Sequence, residues 1–337
     1  MTQSSCLRWG VLSTANIGLK ALIPALLASQ GVELCALASR DAEKAEKYAK
    51  LYHIPKTHDS YEALVQDPDI DVVYNPLPNH LHMEWTIKAI EAGKHVLCEK
   101  PLALDAPQAR RMVEVSQKHG VLLMEAFMYR YHPQHRRVQA LLESGFIGAP
   151  GLIRSSFSYP LLALERPGDI RWQAGGGSVM DLGCYCVNAS RCFFAAEPLS
   201  VLANAIVHPD YPSVDAQLHA VLNFSGDRTA IIDCSFLLPD QQRCELVAPE
   251  GRIWVEQGFN PGGAVPVTIN LQKGERHIVE TIPSSDRYRA EVEYFCDCIH
   301  NGVQPETDAQ DGLNNMKVID ALLRSARLGQ TVTLDES

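Results

Sequence analysis

The sequence lacks the features of a membrane or secreted protein. No apolar run among its 337 residues reaches the roughly 18 residues that a membrane span needs. The start of the chain, MTQSSCLRW, has no apolar segment of the kind found in secretory signals. We therefore expect a cytoplasmic protein that does not associate with membranes.

The sequence also lacks an excess of basic charge and the cysteine spacing of a zinc site. Its 30 lysines and arginines face 40 aspartates and glutamates, for a formal net charge of -10, which argues against nucleic-acid binding. The 10 cysteines include the C-x-C pairs Cys184/Cys186 and Cys296/Cys298 but no C-x-x-C pair. With no export signal, reduced thiols are the better interpretation, and we expect no metal.

The first part of the chain alternates short apolar runs with helical patterns. Asp41 is suited to begin a helix, and Gly93 and Gly120 are suited to end one. Strands that alternate with helices predict a doubly wound parallel sheet. The predicted strands are Leu7–Ser13, Val32–Ala38, Asp71–Asn75, His95–Cys98 and Val121–Glu125.

The pattern changes after a helix predicted over Pro133–Ser144. Strand-like runs then follow in series, joined by short turns, which predicts an open antiparallel sheet with helices on one face. The boundary near Ala126 divides the chain into domains 1–126 and 127–337. The predicted strand runs are 151–159, 199–208, 214–224, 228–238, 242–249 and 251–258, and the later helices are Gly177–Phe194, Arg287–His300 and Ala309–Leu328.

The turn after the first strand resembles a phosphate-binding turn only in part. A G-x-G-x-x-G frame laid over residues 13–18 reads Ser13-x-Ala15-x-x-Gly18. Glycines in that frame permit a tight turn and a close approach of backbone N–H groups to a pyrophosphate. We predict that Ser13, Ala15, Asn16 and Ile17 contact the cofactor, with an ordinary strand-to-helix turn as the alternative.

The end of the second strand favours NADP over NAD. NAD-binding domains usually carry an acid there for the ribose 2′-OH, but this strand ends Ala38-Ser39-Arg40. A hydroxyl followed by a guanidinium suits a 2′-phosphate, which arginine binds with two parallel hydrogen bonds. The alternative is that Arg40 is a solvated surface residue.

The fourth predicted strand runs directly into Glu99-Lys100-Pro101. Proline has no N–H and restrains the residue before it, so it fixes the direction of the Lys100 backbone. Parallel α/β sheets bind ligands at the carboxyl ends of their strands. Lys100 is therefore predicted to face a ligand.

Five motifs of the sequence are specific enough to indicate a family. They are Pro78-Asn79-x-x-His82, Ala92-Gly93-Lys94-His95-Val96, Glu99-Lys100-Pro101, EAFMYRYHPQ at Glu125–Gln134 and GGGSVMDLGCY at Gly175–Tyr185. These motifs resemble those of the glucose–fructose oxidoreductase / inositol dehydrogenase family, most strongly the branch with NADP-dependent xylose dehydrogenases and dimeric dihydrodiol dehydrogenases. The resemblance implies an N-terminal NADP-binding Rossmann domain and a C-terminal domain for substrate binding and oligomerisation.

The resemblance also implies roles for individual residues. Lys100 would lie beside the nicotinamide and the substrate, with a cis peptide to Pro101. Asp181 and Tyr185 are four residues apart, which places them on one face of a helix; in the family the acid binds substrate and the later residue exchanges a proton. A nearby ammonium lowers the pKa of a phenol, so Lys100 would assist Tyr185. Cofactor contacts are expected from Asn75, Leu77, Pro78, His82, Glu99, Lys100, Met128, Arg171 and Trp172.

The expected activity is NADP-dependent hydride transfer to or from a sugar, polyol or related diol, with an aldose such as xylose or glucose favoured. One alternative is a trans-dihydrodiol dehydrogenase or dicarbonyl reductase. Another is an NADP-binding regulator without catalysis. An antiparallel sheet covered by helices on one face leaves its other face for a partner, so we expect a homodimer or a dimer of dimers. His80 and His82 have no carboxylate or cysteine at ligand spacing and are interpreted as helix-start residues.

Overall fold

The computed structural model describes residues 6–161 and 168–334, which form two compact units. The first unit contains the described residues up to Tyr131 together with Asp286–Leu313. The second contains those from His132 to Ser285 and those after Leu313. Residues 1–5 lie outside the described residues. They belong to the segment in which the sequence analysis predicts no secretory signal.

The first unit contains a six-stranded parallel sheet, which confirms the predicted doubly wound fold. The strands are β1 (Leu7–Leu12), β2 (Val32–Ala38), β3 (Lys56–His58), β4 (Val72–Asn75), β5 (His95–Glu99) and β6 (Leu123–Ala126). Their order is β3-β2-β1-β4-β5-β6, so the direction of winding reverses between β1 and β4. Ligands bind at such a switch point in open α/β sheets. The short polar strand β3 was not predicted, because its three residues contain no apolar side chain.

Helices pack against this sheet, and the predicted ends at Asp41 and Gly120 are confirmed. They are α1 (Ile23–Ala28), α2 (Ala42–Tyr52), α3 (Tyr61–Val65), α4 (Asn79–Glu91) and α5 (Ala106–His119). The Asp41 carboxylate accepts a hydrogen bond from the Lys44 N–H at 3.1 Å and so caps α2. Gly120 ends α5 with a positive φ of 65°. A π-helical turn, Gly18–Leu22, leads from the first loop into α1.

The second unit contains a nine-stranded sheet and the helices α6 (Pro133–Glu143) and α7 (Cys184–Phe194). The predicted antiparallel sheet is confirmed, except that β7 and β10 pair in parallel. α7, β8 and β9 separate these two strands in sequence, and so long a crossover permits parallel pairing. The strands are β7 (Leu152–Ser158), β8 (Ser200–His208), β9 (Tyr211–Phe224), β10 (Arg228–Ser235), β11 (Cys244–Ala248), β12 (Gly251–Val255), β13 (Val267–Lys273), β14 (Arg276–Ile282) and β15 (Val332–Thr333), in the order β14-β13-β12-β11-β7-β10-β9-β8-β15.

Two helices near the end of the chain follow, α8 (Arg287–Asn301) and α9 (Ala309–Leu328). The structure places α8 in the first unit, whereas the sequence-based division at residue 126 puts it in the second domain. The reason is apolar packing: Phe295 of α8 is fully buried and lies edge-on to Trp9 of β1, with ring centroids 6.2 Å apart. A boundary drawn from local patterns does not detect a segment that returns to an earlier core.

Two further properties bear on the class of protein. Among the described residues, no helix is long and apolar enough to cross a membrane. Within the same residues, no group of three or more His, Cys, Asp or Glu side chains is arranged to hold a metal ion. All cysteines except Cys6 and Cys192 are buried. The cytoplasmic location stays a prediction from the sequence.

Candidate active site

The turn after β1 keeps a glycine-type backbone although its first glycine is replaced. Ser13 has a φ of 67°, in the left-handed region that favours glycine. Its Oγ accepts a hydrogen bond from the Ala15 N–H at 3.2 Å, which supports this turn. Asn16 is exposed, and Ala15 and Ile17 are half-buried. The predicted phosphate-contact residues therefore lie together at the carboxyl end of β1.

The end of β2 presents a cation. Ser39 is buried, and its Oγ accepts a hydrogen bond from the Asp41 N–H at 3.1 Å. The next carboxylate in the sequence, that of Asp41, caps α2 and lies 3.3 Å from the Lys44 Nζ. Arg40 between them is exposed. The group that this strand end offers to a ligand is therefore a guanidinium.

His82 joins the loop after β4 to the turn after β5. It is fully buried; its Nδ1 lies 2.9 Å from the Pro101 carbonyl oxygen, and its Nε2 lies 2.7 Å from that of Leu77. Burial lowers the pKa of His82 to about 4, so the ring is neutral near pH 7. The histidine that the sequence predicts as a cofactor contact thus binds the protein's own backbone.

Asn75 has a similar position at the end of β4. Its side chain is fully buried; the Oδ1 accepts from the Leu77 N–H at 3.2 Å, and the Nδ2 donates to the Thr86 Oγ1 at 3.0 Å. Leu77 is buried as well, and Pro78 is half-buried at the start of α4. Of these predicted cofactor residues, Asn75 holds the loop after β4 in place through its hydrogen bonds, and Leu77 and Pro78 are part of that loop.

A buried acid, Glu125, holds the turn that carries Lys100 in place through a hydrogen bond. The Lys100–Pro101 peptide is cis, as the resemblance implies. The next residue, Leu102, donates its N–H to the Glu125 Oε1 at 2.7 Å, and Glu125 is fully buried. At the end of β5, Glu99 accepts a hydrogen bond of 2.6 Å from the Tyr74 hydroxyl.

The segment after β6 closes this part of the first unit. Met128, another predicted cofactor contact, is buried in a 3-10 turn at Met128–Tyr131. In the same turn, the Arg130 Nη2 lies 3.3 Å from the Glu306 carboxylate. The environment of Met128 is thus fixed by an ion pair to the returning segment of the chain.

In the second unit, Asp215 fixes the glycine-rich turn that precedes α7. Its buried Oδ2 accepts hydrogen bonds from the Ser178 hydroxyl at 2.5 Å and from the Val179 N–H at 2.8 Å. Gly177 has a φ of 102°, and a Cβ there would overlap the Asp215 carboxylate. Gly177 is needed because the chain passes so close to this acid, whereas a Cβ at Gly176 would overlap the Arg171 carbonyl. Burial raises the pKa of Asp215.

The residues that follow form a π-helical turn, Val179–Gly183, before α7 begins. The sequence predicts one regular helix here; single π turns of this kind are frequent at functional sites. Asp181 lies in the π turn, and Tyr185 lies in the first turn of α7. The Tyr185 ring is 5% exposed and packs against Phe157 and Phe259, with centroid distances of 5.4 and 5.9 Å.

Asp181 lies in a network of polar side chains. Its Oδ2 accepts a hydrogen bond of 2.8 Å from the Tyr159 hydroxyl and is 3.8 Å from the Arg171 Nη1. Arg171 also donates to the Tyr159 oxygen and pairs with Asp169 through two nitrogens, at 2.9 and 2.5 Å. Arg171, predicted beside the cofactor phosphates, thus lies next to the predicted substrate-binding acid.

Trp172, the neighbour of Arg171, is buried in the second unit. Its indole is 2% exposed, stacks on Tyr211 at 5.1 Å and lies edge-on to Phe236 at 5.2 Å. The structure thus places this predicted cofactor contact in an aromatic cluster. No sequence pattern indicated Tyr159, Asp169 or Asp215, since each is far from the residue it supports or belongs to an ordinary strand or loop pattern.

The strand order and the turn after β1 define a dinucleotide-binding protein of the Rossmann type. More specifically, the chain belongs to the oxidoreductase family with an NAD-binding Rossmann fold, which its residues 7–127 match. Residues 135–254 match the GFO/IDH/MocA C-terminal domain. The protein is therefore an enzyme of this oxidoreductase family.

Several characterised proteins are similar over much of their length. D-xylose 1-dehydrogenase (NADP(+)) 2 of Haloferax volcanii is 39% identical over 97% of this chain and 99% of its own. The trans-1,2-dihydrobenzene-1,2-diol dehydrogenase of Xenopus laevis is 36% identical over 69% of this chain and 71% of its own. The crystal structure of a 3-ketoreductase from Actinomadura kijaniata in complex with NADP and TDP-benzene has a TM-score of 0.88 and 33% identity, covering 95% of this chain and 97% of its own.

Replacing Asp215 tests its role at the start of the helix. Asp215→Ala removes the acceptor for Ser178 and Val179, so the free energy of unfolding should fall by about 1–3 kcal/mol. Asp215→Asn keeps an acceptor oxygen and should lose less. Chemical denaturation of the three proteins measures the difference.

The pH dependence of the same comparison provides a second measurement. The folded pKa of Asp215 is raised, so its contribution to stability is present below the unfolded pKa of about 4 and is lost as pH rises through the folded value. The wild-type protein should therefore lose stability relative to Asp215→Asn as pH rises through that interval. A difference that does not change with pH would contradict the burial of a titrating acid.

Proposed function

We propose that the protein is an NADP-dependent oxidoreductase that transfers hydride between the nicotinamide and a sugar, polyol or related diol, most favourably an aldose. The observation that carries the proposed hydride and proton transfer is that buried side chains hold the two segments on which the proposed reactive residues lie. Lys100 is on a turn fixed by His82 and Glu125, and Tyr185 is on a helix whose start is fixed by Asp215. The similarity to a xylose dehydrogenase over nearly the whole chain supports the same substrate class.

The residues at the end of β2 fit NADP. The Asp41 carboxylate is used as the cap of α2, so it is not available to the ribose as the acid of an NAD site would be. Arg40 is exposed beside it and suits a 2′-phosphate. The left-handed turn at Ser13 fits a pyrophosphate. The relatives named for NADP, or solved with it, agree with this choice.

Exchanging the charge at position 40 tests the cofactor preference. NADP(H) should bind at least about tenfold more tightly than NAD(H), which corresponds to roughly 1.4 kcal/mol. Arg40→Asp should reverse the order, because it removes a cation and repels the phosphate. Calorimetry with both cofactors measures this, and equal affinities in the wild-type protein would refute the assignment.

In the proposed reaction, Tyr185 transfers the proton of the substrate hydroxyl, and Lys100 stabilises the charge on the substrate oxygen. The bound cofactor would supply the hydride chemistry: its oxidised form, NADP⁺, accepts hydride during oxidation of the substrate, and its reduced form, NADPH, supplies hydride during reduction. During oxidation, the Tyr185 oxygen takes the proton of the substrate hydroxyl, while the Lys100 ammonium stabilises the negative charge that develops on the substrate oxygen. A free phenol has a pKa of about 10, so Tyr185 needs a neighbouring cation to act near pH 7. Reduction of a carbonyl uses the same groups in reverse.

Two other functions would use the same fold. A trans-dihydrodiol dehydrogenase or dicarbonyl reductase is favoured by the similarity to the Xenopus enzyme. A regulator that binds NADP without catalysis would have no need for Lys100, Asp181 and Tyr185 together. A spectrophotometric screen of aldoses, polyols, inositols and dihydrodiols with NADP distinguishes the three.

Tyr185→Phe and Lys100→Met test the proposed acid–base pair. Tyr185→Phe keeps the ring packing against Phe157 but removes the hydroxyl, so kcat should fall by about a hundredfold or more. Lys100→Met should also lower kcat, and the double variant should be little worse than either, because the two groups act as one unit. The measurement is kcat from steady-state kinetics, compared between variants that bind NADP as tightly as the wild-type protein does. Near-normal turnover by Tyr185→Phe would assign the proton transfer to another group, with Asp181 next.

We also propose a homodimer, or a dimer of dimers, formed through the outer face of the nine-stranded sheet. In β10, Ala230 and Ile232 are buried, whereas Ile231 between them is 43% exposed. Val279 of β14 and Leu202 of β8 are also exposed, at 53% and 44%. Apolar side chains spread over one face of a sheet favour a symmetric partner.

Light scattering at micromolar concentration tests this assembly. The wild-type protein should have at least twice the mass of one chain, and Ile231→Arg should shift the mass towards that of one chain because it places a charge on the apolar face. A wild-type mass of a single chain would rule out the dimer.

A further inference from the structure

Three polar side chains of the second unit form a hydrogen-bonded group that proton transfer by Tyr185 does not require. The group consists of Tyr159, Arg171 and Asp181, and we call it the polar triad. We propose that the polar triad determines substrate specificity: it selects a substrate with several hydroxyl groups around the reacting carbon, as in an aldose, over a diol on an apolar ring. The inference rests on the proposed function and makes its substrate class narrower.

The polar triad is fixed in position before any substrate binds. The Tyr159 hydroxyl donates its only proton to Asp181 and accepts a hydrogen bond from Arg171, so both directions of the hydroxyl are set. Arg171 is held in turn by two nitrogens on the Asp169 carboxylate. Charge-assisted bonds of this kind are strong and directional. The triad therefore presents a fixed pattern of donors and acceptors.

The position of Tyr159 connects the triad with the proposed catalytic tyrosine. Phe157 lies near the end of β7, and Tyr159 directly follows the last residue of that strand, Ser158. Tyr185 packs against Phe157, and Asp181 is bonded to Tyr159. The triad and the Tyr185 ring are therefore neighbours along one strand end, so a substrate that reacts at Tyr185 has its adjacent carbons near the triad.

The triad is also accessible enough to meet a ligand. The side chains of Arg171 and Asp181 are 25% and 22% exposed, in contrast to the buried supports such as Asp215. A hydroxyl group can donate to the carboxylate and accept from the guanidinium, so a sugar can satisfy both. A diol on an apolar ring has only one hydroxyl besides the reacting one; its other ring carbons can satisfy neither group, and they would remove water from both charges. Sites that hydrogen-bond a substrate hydroxyl discriminate strongly against analogues without it.

The test compares kcat/KM for D-xylose and for trans-1,2-dihydrobenzene-1,2-diol, both with NADP. The wild-type protein should prefer xylose. Tyr159→Phe should reduce the xylose-to-diol ratio by about tenfold or more, the size expected for a lost hydrogen bond to a charged group. The control Tyr211→Phe removes a hydroxyl from a ring that packs on Trp172 outside the triad, and it should leave the ratio unchanged.

A second variant keeps the test decisive if Tyr159→Phe does not fold, as judged by circular dichroism and NADP calorimetry. Arg171→Lys keeps the positive charge but loses the two-nitrogen grip on Asp169, and it should lower the same ratio. A wild-type preference for the diol, or an unchanged ratio in every folded variant of the triad, would overturn the inference while leaving the oxidoreductase activity standing. An absence of turnover with either compound would overturn the proposed function itself and the inference with it.

Discussion

The contacts of His82 hold together the loop after β4 and the turn after β5 in the first unit. The chain after β4 and the chain after β5 are buried at the edge of the sheet, where each backbone carbonyl needs a partner inside the protein. His82 lies between them, within hydrogen-bond distance of the carbonyls of Leu77 and Pro101. The ring is neutral and fully buried, so it donates a hydrogen bond to one of these two carbonyls and packs against the other, and it places no charge in the interior. Lys100 is then the charged group that this turn presents.

The second unit uses the same principle with a different residue. The Asp215 carboxylate accepts hydrogen bonds from the Ser178 hydroxyl and the Val179 N–H at the start of the π turn, and Gly177 allows the chain to approach this carboxylate. In both units a buried side chain binds backbone groups close to a proposed reactive residue: Lys100 directly precedes Pro101, and Tyr185 lies in the helix that follows Val179. Such supports limit the freedom of the reacting groups, which is how a fold pre-organises acid–base chemistry.

The family to which the chain belongs includes relatives named for a sugar, for a nucleotide-linked ketone reaction and for an aromatic dihydrodiol. Proton transfer and hydride transfer make the same demands in each case, so the proposed catalytic pair, Lys100 and Tyr185, carries no information about which substrate is used. Substrates would then be distinguished by groups around the reacting carbon. In this chain the polar triad, with its hydrogen-bonded Asp181, is our proposal for those groups.

Local patterns in the sequence determined the elements and the class of protein. Alternating apolar runs predicted the parallel sheet, Asp41 and Gly120 marked helix ends, and the motif at Glu99-Lys100-Pro101 indicated the family. These features depend on residues a few positions apart, where periodicity and capping act.

Tertiary structure decided which side chains face a ligand and which support the chain. His82 and Asn75 turn inward to backbone groups, Trp172 joins an aromatic cluster, and Arg171 lies next to Asp181. Tyr159 is 22 residues from Asp181 in sequence, and Asp215 is 36 residues from Val179, whose N–H donates a hydrogen bond to it. Only the folded sheet brings such partners together, because hydrogen bonding acts over a few ångströms in space and leaves no periodic signal along the chain.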